Sequence, residues 1–255
     1  MNQLVALDSK THRGCRVSEG ATLRFAARQN VMQIQASEIG QAACSFPVFL
    51  TRGPRSGIWA LSVVLGLEQG SNLFVQNEQW TAAYLPFGMQ TYPLFLMKSP
   101  TDEKGFAVGV VGHEGVLSQE KGEALFDESG NESAYLSGMT KLLKANLEND
   151  AQSRMFAQRL EELDLIKAVD VKVHYEDGSV QTIAGLNTID EDKLRSLAAD
   201  TLEGLNRNGV LFLIHAMLVS VFQLNTLIRK HNQDAGRKPV KEAQLELSRP
   251  VAATD

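Results

Sequence analysis

The stretch "VDVKVHYEDGSVQTI", residues 169–183, decides the fold class of this 255-residue chain. From Val169 to Tyr175, apolar residues alternate with Asp, Lys and His, and this period of two is typical of a strand with one buried face and one face in water. Asp177-Gly178 is a favoured two-residue turn between antiparallel strands. The stretch therefore predicts a β-hairpin.

Outward from this hairpin, strand-like segments dominate the N-terminal half. They include "FPVFLTR" at 46–52, "IWALSVVLGL" at 58–67 and "GFAVGVVG" at 105–112, whereas helical periodicity begins near Ser133. The predicted fold class is α+β, with a mixed or antiparallel sheet in the N-terminal half and C-terminal helices packed on it. Residues 1–232 are predicted to form a single globular domain.

The C-terminal region contains the most apolar segment, "VLFLIHAMLVSVFQL" at 210–224. Because His215 and Ser220 interrupt it, and because it is shorter than the roughly 20 residues that cross a bilayer, we expect a buried core helix and no membrane span. His215 is expected to be buried within that core. The polar residues 233–255 carry balanced charge and predict a flexible tail.

Composition limits the partners and the compartment. The formal net charge is -5, which disfavours nucleic acid as a partner. The N-terminus has no apolar run that could form a signal-peptide core. Two cysteines are too few for a disulfide framework in a chain of this size. We therefore expect a cytoplasmic protein.

The sequence motifs exclude several chemistries. His113-Glu114 resembles the start of a zinc-protease helix, but Leu117 occupies the position of the second histidine ligand. The loop "GPRSG" at 53–57 matches neither a nucleophile elbow nor a phosphate-binding loop. We expect no metal and no cofactor, and no catalytic residue can be assigned. The sequence motifs favour a protein that is not an enzyme, and an enzyme with a dispersed site is the alternative.

Aromatic residues are concentrated in "WTAAYLPFGMQTYPLFLM", residues 80–97. Two prolines and a glycine interrupt the stretch, so its rings cannot share one helix face. Rings that carry a polar group serve as core residues and also as anchors for peptides and flat ligands. The candidate ligand-binding residues are Trp59, Trp80, Tyr84 and Tyr92. Of these, we expect Trp80 to be core and Tyr84 and Tyr92 to be partly exposed.

Six segments occur in order between Glu38 and Lys230: "FPVFLTR", "WALSVVLGLEQGSNLF", "WTAAYLPFGMQTYP", "LFDESGNES", "GLNTIDEDKL" and "NGVLFLIHAMLVSVFQL". Together they resemble the SapC family of bacterial proteins. The family takes its name from a protein linked to a bacterial surface layer, and its members are often labelled peptide-transport permeases. They also tend to be encoded near flavin-dependent tryptophan halogenases and TonB-dependent receptors. The resemblance implies an accessory role with peptides or proteins, and it supplies no catalytic residue.

Three functions are compatible with the sequence. The first is a soluble binding or accessory protein that holds a peptide, a protein segment or an aromatic small molecule. The second is an enzyme of unrecognised class, and the third is an assembly factor for surface-layer protein. Convergent titratable groups in a closed pocket would favour the enzyme, whereas an open aromatic groove would favour binding.

Overall fold

The structure is a computed structural model that describes residues 4–53, 56–100, 102, 105–112 and 115–248. The strands are β1 (Leu4–Ala6), β2 (Arg16–Val17), β3 (Val31–Ile34), β4 (Val48–Arg52), β5 (Trp59–Val64), β6 (Val75–Gln76), β7 (Gln79–Trp80), β8 (Leu94–Lys98), β9 (Phe106–Val111), β10 (Leu117–Ser118), β11 (Glu123–Ala124), β12 (Ile166–Tyr175), β13 (Val180–Ile189) and β14 (Val240–Leu247). The helices are α1 (Ala21–Ala26), α2 (Ile39–Ala42), α3 (Phe87–Thr91), α4 (Ala134–Ala145), α5 (Leu147–Glu162), α6 (Glu191–Arg195), α7 (Ala199–Arg207), α8 (Val210–Ser220) and α9 (Leu224–Asn232). Short 3-10 turns precede α2 and α9.

Backbone contacts divide the chain into two compact units. Unit 1 comprises Met1–Ala26, Asn77–Trp80 and Phe87–Glu148, and unit 2 comprises the remaining residues. Unit 1 contains two antiparallel three-stranded sheets, in the orders β1-β9-β8 and β10-β2-β11. Helix α4 begins at the N-cap Ser133 and contributes Leu136 and Leu143 to the apolar core of this unit. The single domain expected from the sequence stays a prediction.

Unit 2 is built on a six-stranded antiparallel sheet in the order β14-β12-β13-β4-β5-β3. The three residues Val48, Phe49 and Leu50 of β4 are fully buried, as expected for a strand near the middle of a covered sheet. Helix α8 packs on β4 and β13, and α9 packs on β14. The α+β class and the antiparallel sheet are therefore confirmed.

The predicted hairpin forms the second and third strands of this sheet. Strands β12 and β13 pair from Ile166 opposite Ile189 to His174 opposite Val180, with an irregularity between Val169 and Val171. Gly178 has a φ of 83°, a conformation that glycine adopts without the steric cost that other residues incur. The alternation in the sequence therefore corresponds to the two faces of a real strand.

The C-terminal tail differs from the expectation. Residues Val240–Leu247 form β14, which pairs with β12 along its length, from Val169 opposite Leu247 to Tyr175 opposite Val240. Val240 is buried. The prediction of a flexible tail from residue 233 is therefore wrong over this strand, because its backbone hydrogen bonds to the sheet replace the wide apolar face that the sequence lacks.

The apolar C-terminal helix also differs. It continues past Ser220 through a 3-10 turn to form one helix over Val210–Asn232, 23 residues long. By length and composition this helix could cross a membrane, so the length argument against a span is wrong, and the absence of a span stays a prediction. Only 28% of its most apolar window is buried, and His215 is exposed. The prediction of a buried core helix is therefore wrong for one face of this helix. The prediction that His215 is buried is wrong.

Candidate functional site

The four aromatic residues predicted to bind a ligand do not form one site within either unit. Trp80 and Tyr92 belong to unit 1, and Trp59 and Tyr84 belong to unit 2. Tyr92 is only 3% exposed and belongs to the apolar core of unit 1. The expectation that Tyr92 is partly exposed is therefore wrong, because its ring packs against Phe25 and Phe95 in that core. A ligand role for these side chains stays a prediction.

Trp59 lies in β5 beside Arg52 of β4, which is its partner in the strand register. The guanidinium carbon of Arg52 lies 4.8 Å from the centre of the indole ring, a cation–π contact that covers one face of it. The indole Nε1 is buried and has no hydrogen-bond partner among the described residues. Trp80 is half-buried in β7. One face of Trp59 is thus already occupied by its own chain.

Tyr84 is half-buried and donates a hydrogen bond from its hydroxyl to Oε1 of Glu38, at 2.5 Å. The other carboxylate oxygen of Glu38 accepts a hydrogen bond from the backbone N–H of Gln35, at 2.7 Å. Glu38 is buried, so these donors compensate its loss of water. Burial first, and the hydrogen bond to Glu38 second, raise the pKa of Tyr84. The pair fixes the segment before α3 to the turn before α2.

Because its pKa is raised, Tyr84 is expected to stabilise the folded state fully below pH 10 and progressively less at higher pH. In that range the unfolded tyrosine releases its proton while the folded one keeps it, so the free energy of unfolding falls as the pH rises. We expect Tyr84→Phe to cost about 1–3 kcal/mol at pH 7, because a buried carboxylate loses a donor. We also expect it to flatten the decline above pH 10 in urea unfolding curves. An unchanged alkaline slope would contradict this role.

A groove in unit 2 lies between α5, α7 and the start of α8. It has a volume of about 790 Å³. Phe156 and Leu205 are buried in its floor, Val210 and Leu213 line one wall, and Met155 is 65% exposed. This size and apolar lining are those of pockets that hold small molecules or peptide side chains. The groove is therefore the candidate site.

Polar residues surround the apolar floor. Arg159 and Glu162 form an ion pair at 3.5 Å, and the side-chain amide of Gln158 donates to Glu162 at 2.9 Å. The amides of Gln152 and Asn208 are exposed at the same rim. An amide side chain both donates and accepts hydrogen bonds, as a peptide backbone does. The rim is therefore neutral as a whole and suited to peptide groups.

The remaining edge of the groove is the turn that contains Ala36 and Ser37. Ser153 of α5 accepts a hydrogen bond from the backbone N–H of Ala36 at 2.8 Å and donates one to the carbonyl of Asn149 at 2.7 Å. These bonds fasten the turn to the helix. The groove therefore has walls held by hydrogen bonds as well as by packing.

Among the described residues, no group of three or more His, Cys, Asp and Glu side chains could hold a metal ion. His113-Glu114 lies outside the described residues. The titratable side chains of the groove are Arg159 and Glu162, which pair with each other at its exposed rim.

Comparison with known proteins identifies the family. The chain matches the SapC family model over residues 7–227 and therefore belongs to the SapC family. The resemblance expected from the sequence is confirmed. Neither the curated proteins nor the solved structures gave a match.

Sequence reasoning missed the groove because its residues come from separate helices. Met155 and Phe156 are adjacent in α5, yet Met155 is exposed in the groove and Phe156 is buried beneath it. Leu205 and Leu213 lie on either side of a helix boundary. One signal was present: the segment at 210–224 is apolar around its whole circumference, more than one core-facing stripe requires.

Proposed function

We propose that this SapC-family protein is a binding or accessory protein that holds a peptide or protein segment in the groove between α5, α7 and α8. The observation that carries the proposal is the combination of an apolar floor, built on Phe156 and Leu205, with an amide-bearing rim. Apolar side chains of the guest fill the floor, and its backbone bonds to the rim. An aromatic small molecule is a second guest compatible with the floor.

A binding role agrees better with the groove than an enzyme does. Catalytic sites gather titratable groups that burial or a neighbouring charge perturbs. In the groove, Arg159 and Glu162 are exposed and neutralise each other at 3.5 Å. An enzyme of unrecognised class is the alternative, and its site would lie elsewhere in the chain.

The compartment and the excluded partners are proposed from the composition of the sequence, and the neighbouring proteins from the resemblance to the family. We propose a cytoplasmic protein, without a membrane span or a nucleic-acid partner, that serves beside flavin-dependent tryptophan halogenases or TonB-dependent receptors. An assembly factor for surface-layer protein is the alternative setting. Both settings require a peptide or protein partner.

Gly204 gives a sharp test of the groove. It lines the groove within α7, and a Cβ placed on it would meet no atom within 4 Å. A leucine there enters the groove while it also raises helix propensity by up to about 1 kcal/mol. We expect Gly204→Leu to fold normally. Peptides selected on the wild-type protein from a random phage-displayed library should bind this variant at least about tenfold more weakly. Fluorescence polarisation measures this binding.

The matched control is Gly138→Leu in α4 of unit 1. Gly138 also lies within a helix, where it is exposed, and a Cβ there also meets no atom within 4 Å. We expect this variant to bind the selected peptides as the wild type does. Equal binding by both variants would exclude the groove as the peptide site, and a library that yields no binder would argue against peptide binding.

A further inference from the structure

The outward face of the helix Val210–Asn232 is apolar and exposed. Phe212, Val219 and Phe222 are between 64% and 73% exposed, and His215 is exposed between them. The steps of three, four and three residues are those of the a and d positions in a heptad, which form the contact stripe of paired helices. We call these four residues the α8 stripe. Soluble monomers rarely expose a contiguous apolar patch of this kind.

The α8 stripe is symmetric about its own centre. When two copies of a helix lie antiparallel around a two-fold axis, the residue numbers of every facing pair add up to the same value. Phe212 then faces Phe222 of the second copy, and His215 faces Val219 of the second copy. All four positions therefore meet a partner in one arrangement, as an isologous interface requires. We propose that the protein forms a homodimer through antiparallel pairing of this helix.

A hollow beside the α8 stripe strengthens the proposal. It has a volume of about 360 Å³, and its apolar lining includes Leu218, Val219, Phe222 and Leu245. In the antiparallel arrangement, Phe212 of the second copy lies opposite Phe222 and enters this hollow. An aromatic ring that fills an apolar pocket of its partner is a common form of a binding hot spot. Each copy supplies one ring and one hollow.

Charge favours the antiparallel arrangement over a parallel one. The exposed face continues to Arg229, seven residues beyond Phe222. A parallel pair would place Arg229 of one molecule against Arg229 of the other, whereas an antiparallel pair separates the two charges. Antiparallel helices also bring their opposite dipole ends together.

The exposed area fits a reversible dimer. An aromatic side chain buries about 150–250 Å² when fully covered, so the two phenylalanines and Val219 together offer about 350 Å² per copy. A standard interface buries about 800 Å² per partner, and the hollow and the flanks of the helix supply part of the rest. The net charge of -5 disfavours an anionic lipid surface as the occupant instead.

Sedimentation of the full chain tests the dimer. At about 50 µM we expect a mass of twice 28.0 kDa, and Phe222→Glu should raise the dissociation constant at least about a hundredfold. The matched control is Phe106→Glu, because Phe106 is an exposed phenylalanine in unit 1. We expect it to leave the dimer intact. A wild-type mass of 28.0 kDa, or equal dissociation by both variants, would overturn the proposal.

Cysteine pairs test the orientation in a background in which Cys15 and Cys44 are replaced by serine. The double variant His215→Cys, Val219→Cys should form a covalent dimer under mild oxidation. Val219→Cys alone should not, because in an antiparallel pair its two copies lie further apart than the roughly 7 Å that a disulfide can bridge. A covalent dimer of that single variant would overturn the antiparallel arrangement. Flotation of a monomeric wild type with phosphatidylcholine–phosphatidylglycerol vesicles, lost in Phe222→Glu, would assign the α8 stripe to a lipid surface and overturn the dimer.

Discussion

Termination of the chain after Asn232 is expected to lower the melting temperature by more than about 10 °C, or to leave the protein insoluble. The truncation removes β14, whose backbone pairs with β12 from Leu247 to Val240. It leaves β12 as an exposed edge with unpaired backbone groups, which promotes aggregation. Thermal unfolding monitored by circular dichroism measures the loss.

The expected size of this effect follows from the contacts of the strand. Burial of Val240 contributes about 1.5–3 kcal/mol, and each backbone hydrogen bond to β12 contributes about 1 kcal/mol. Arg237 adds an ion pair to Glu68 at 2.9 Å and a hydrogen bond to Ser71 at 2.7 Å. A net loss of about 5 kcal/mol, after the backbone entropy that the released strand regains is subtracted, corresponds to roughly 10–20 °C in a chain of this size.

A single side chain allows a finer test. Asn232 donates a hydrogen bond to the carbonyl of Val240 and accepts one from its N–H, both at 2.8 Å, so its amide acts as a strand partner for that residue. We expect Asn232→Ala to cost about 2–3 kcal/mol, and Asn206→Ala, on the exposed surface of α7, to cost little. Truncation after Ser248 keeps β14 and is the control for the larger deletion. A melting temperature unchanged by truncation after Asn232 would show that the strand is not docked in solution.

The sequence predicted strands where a local pattern determines burial. Residues 169–175 alternate strictly and are followed by a turn, so the hairpin was predictable from the stretch itself. Residues Val240–Leu247 contain apolar residues too, but as an edge strand they need only a partial apolar face, and their partner β12 lies more than 60 residues earlier. Their docking depends on contacts distant in sequence, and composition alone indicated a tail.

The candidate site was harder to predict for a related reason. Hydrophobicity shows that a side chain such as Phe212 avoids water, and it does not show whether the same chain or a second molecule covers it. The helix at 210–224 was therefore assigned to the core, although His215 and Phe212 lie on its exposed face. Tyr92 shows the converse error, since it was expected to be partly exposed and is buried. The nearby prolines and glycine indicate where regular backbone structure ends, and they do not indicate whether a side chain is buried.

The second large effect concerns that buried ring. Tyr92→Ala is expected to destabilise unit 1 by about 3–5 kcal/mol, the range for loss of a buried aromatic side chain. Tyr92 stacks on Phe25 with 4.2 Å between the ring centres and meets Phe95 edge-on at 6.3 Å. Burial raises the pKa of its hydroxyl, and nearby Arg24 offsets part of that shift. The ring connects α1 to β8 within the core of the unit.

The two tryptophans allow each unit to be followed separately. Trp80 lies in unit 1 and Trp59 in unit 2. In a Trp59→Phe background, the fluorescence of Trp80 during urea unfolding reports on unit 1. We expect Tyr92→Ala to shift this transition to lower urea. Tyr92→Phe, which keeps the ring, should lower the free energy of unfolding by less than about 1.5 kcal/mol.

The control separates a core role from a ligand role for Tyr92. Phe106 is exposed on β9 of the same unit, so Phe106→Ala removes a ring of similar size without opening a cavity. We expect it to leave the Trp80 transition nearly unchanged. If Tyr92→Ala were as mild as Phe106→Ala, the ring would not be packed in solution, and Tyr92 would return as a surface residue able to contact a ligand. A large loss for Tyr92→Ala alone removes it from the ligand-binding set, because a ring that stabilises the core by several kcal/mol is not available to a guest.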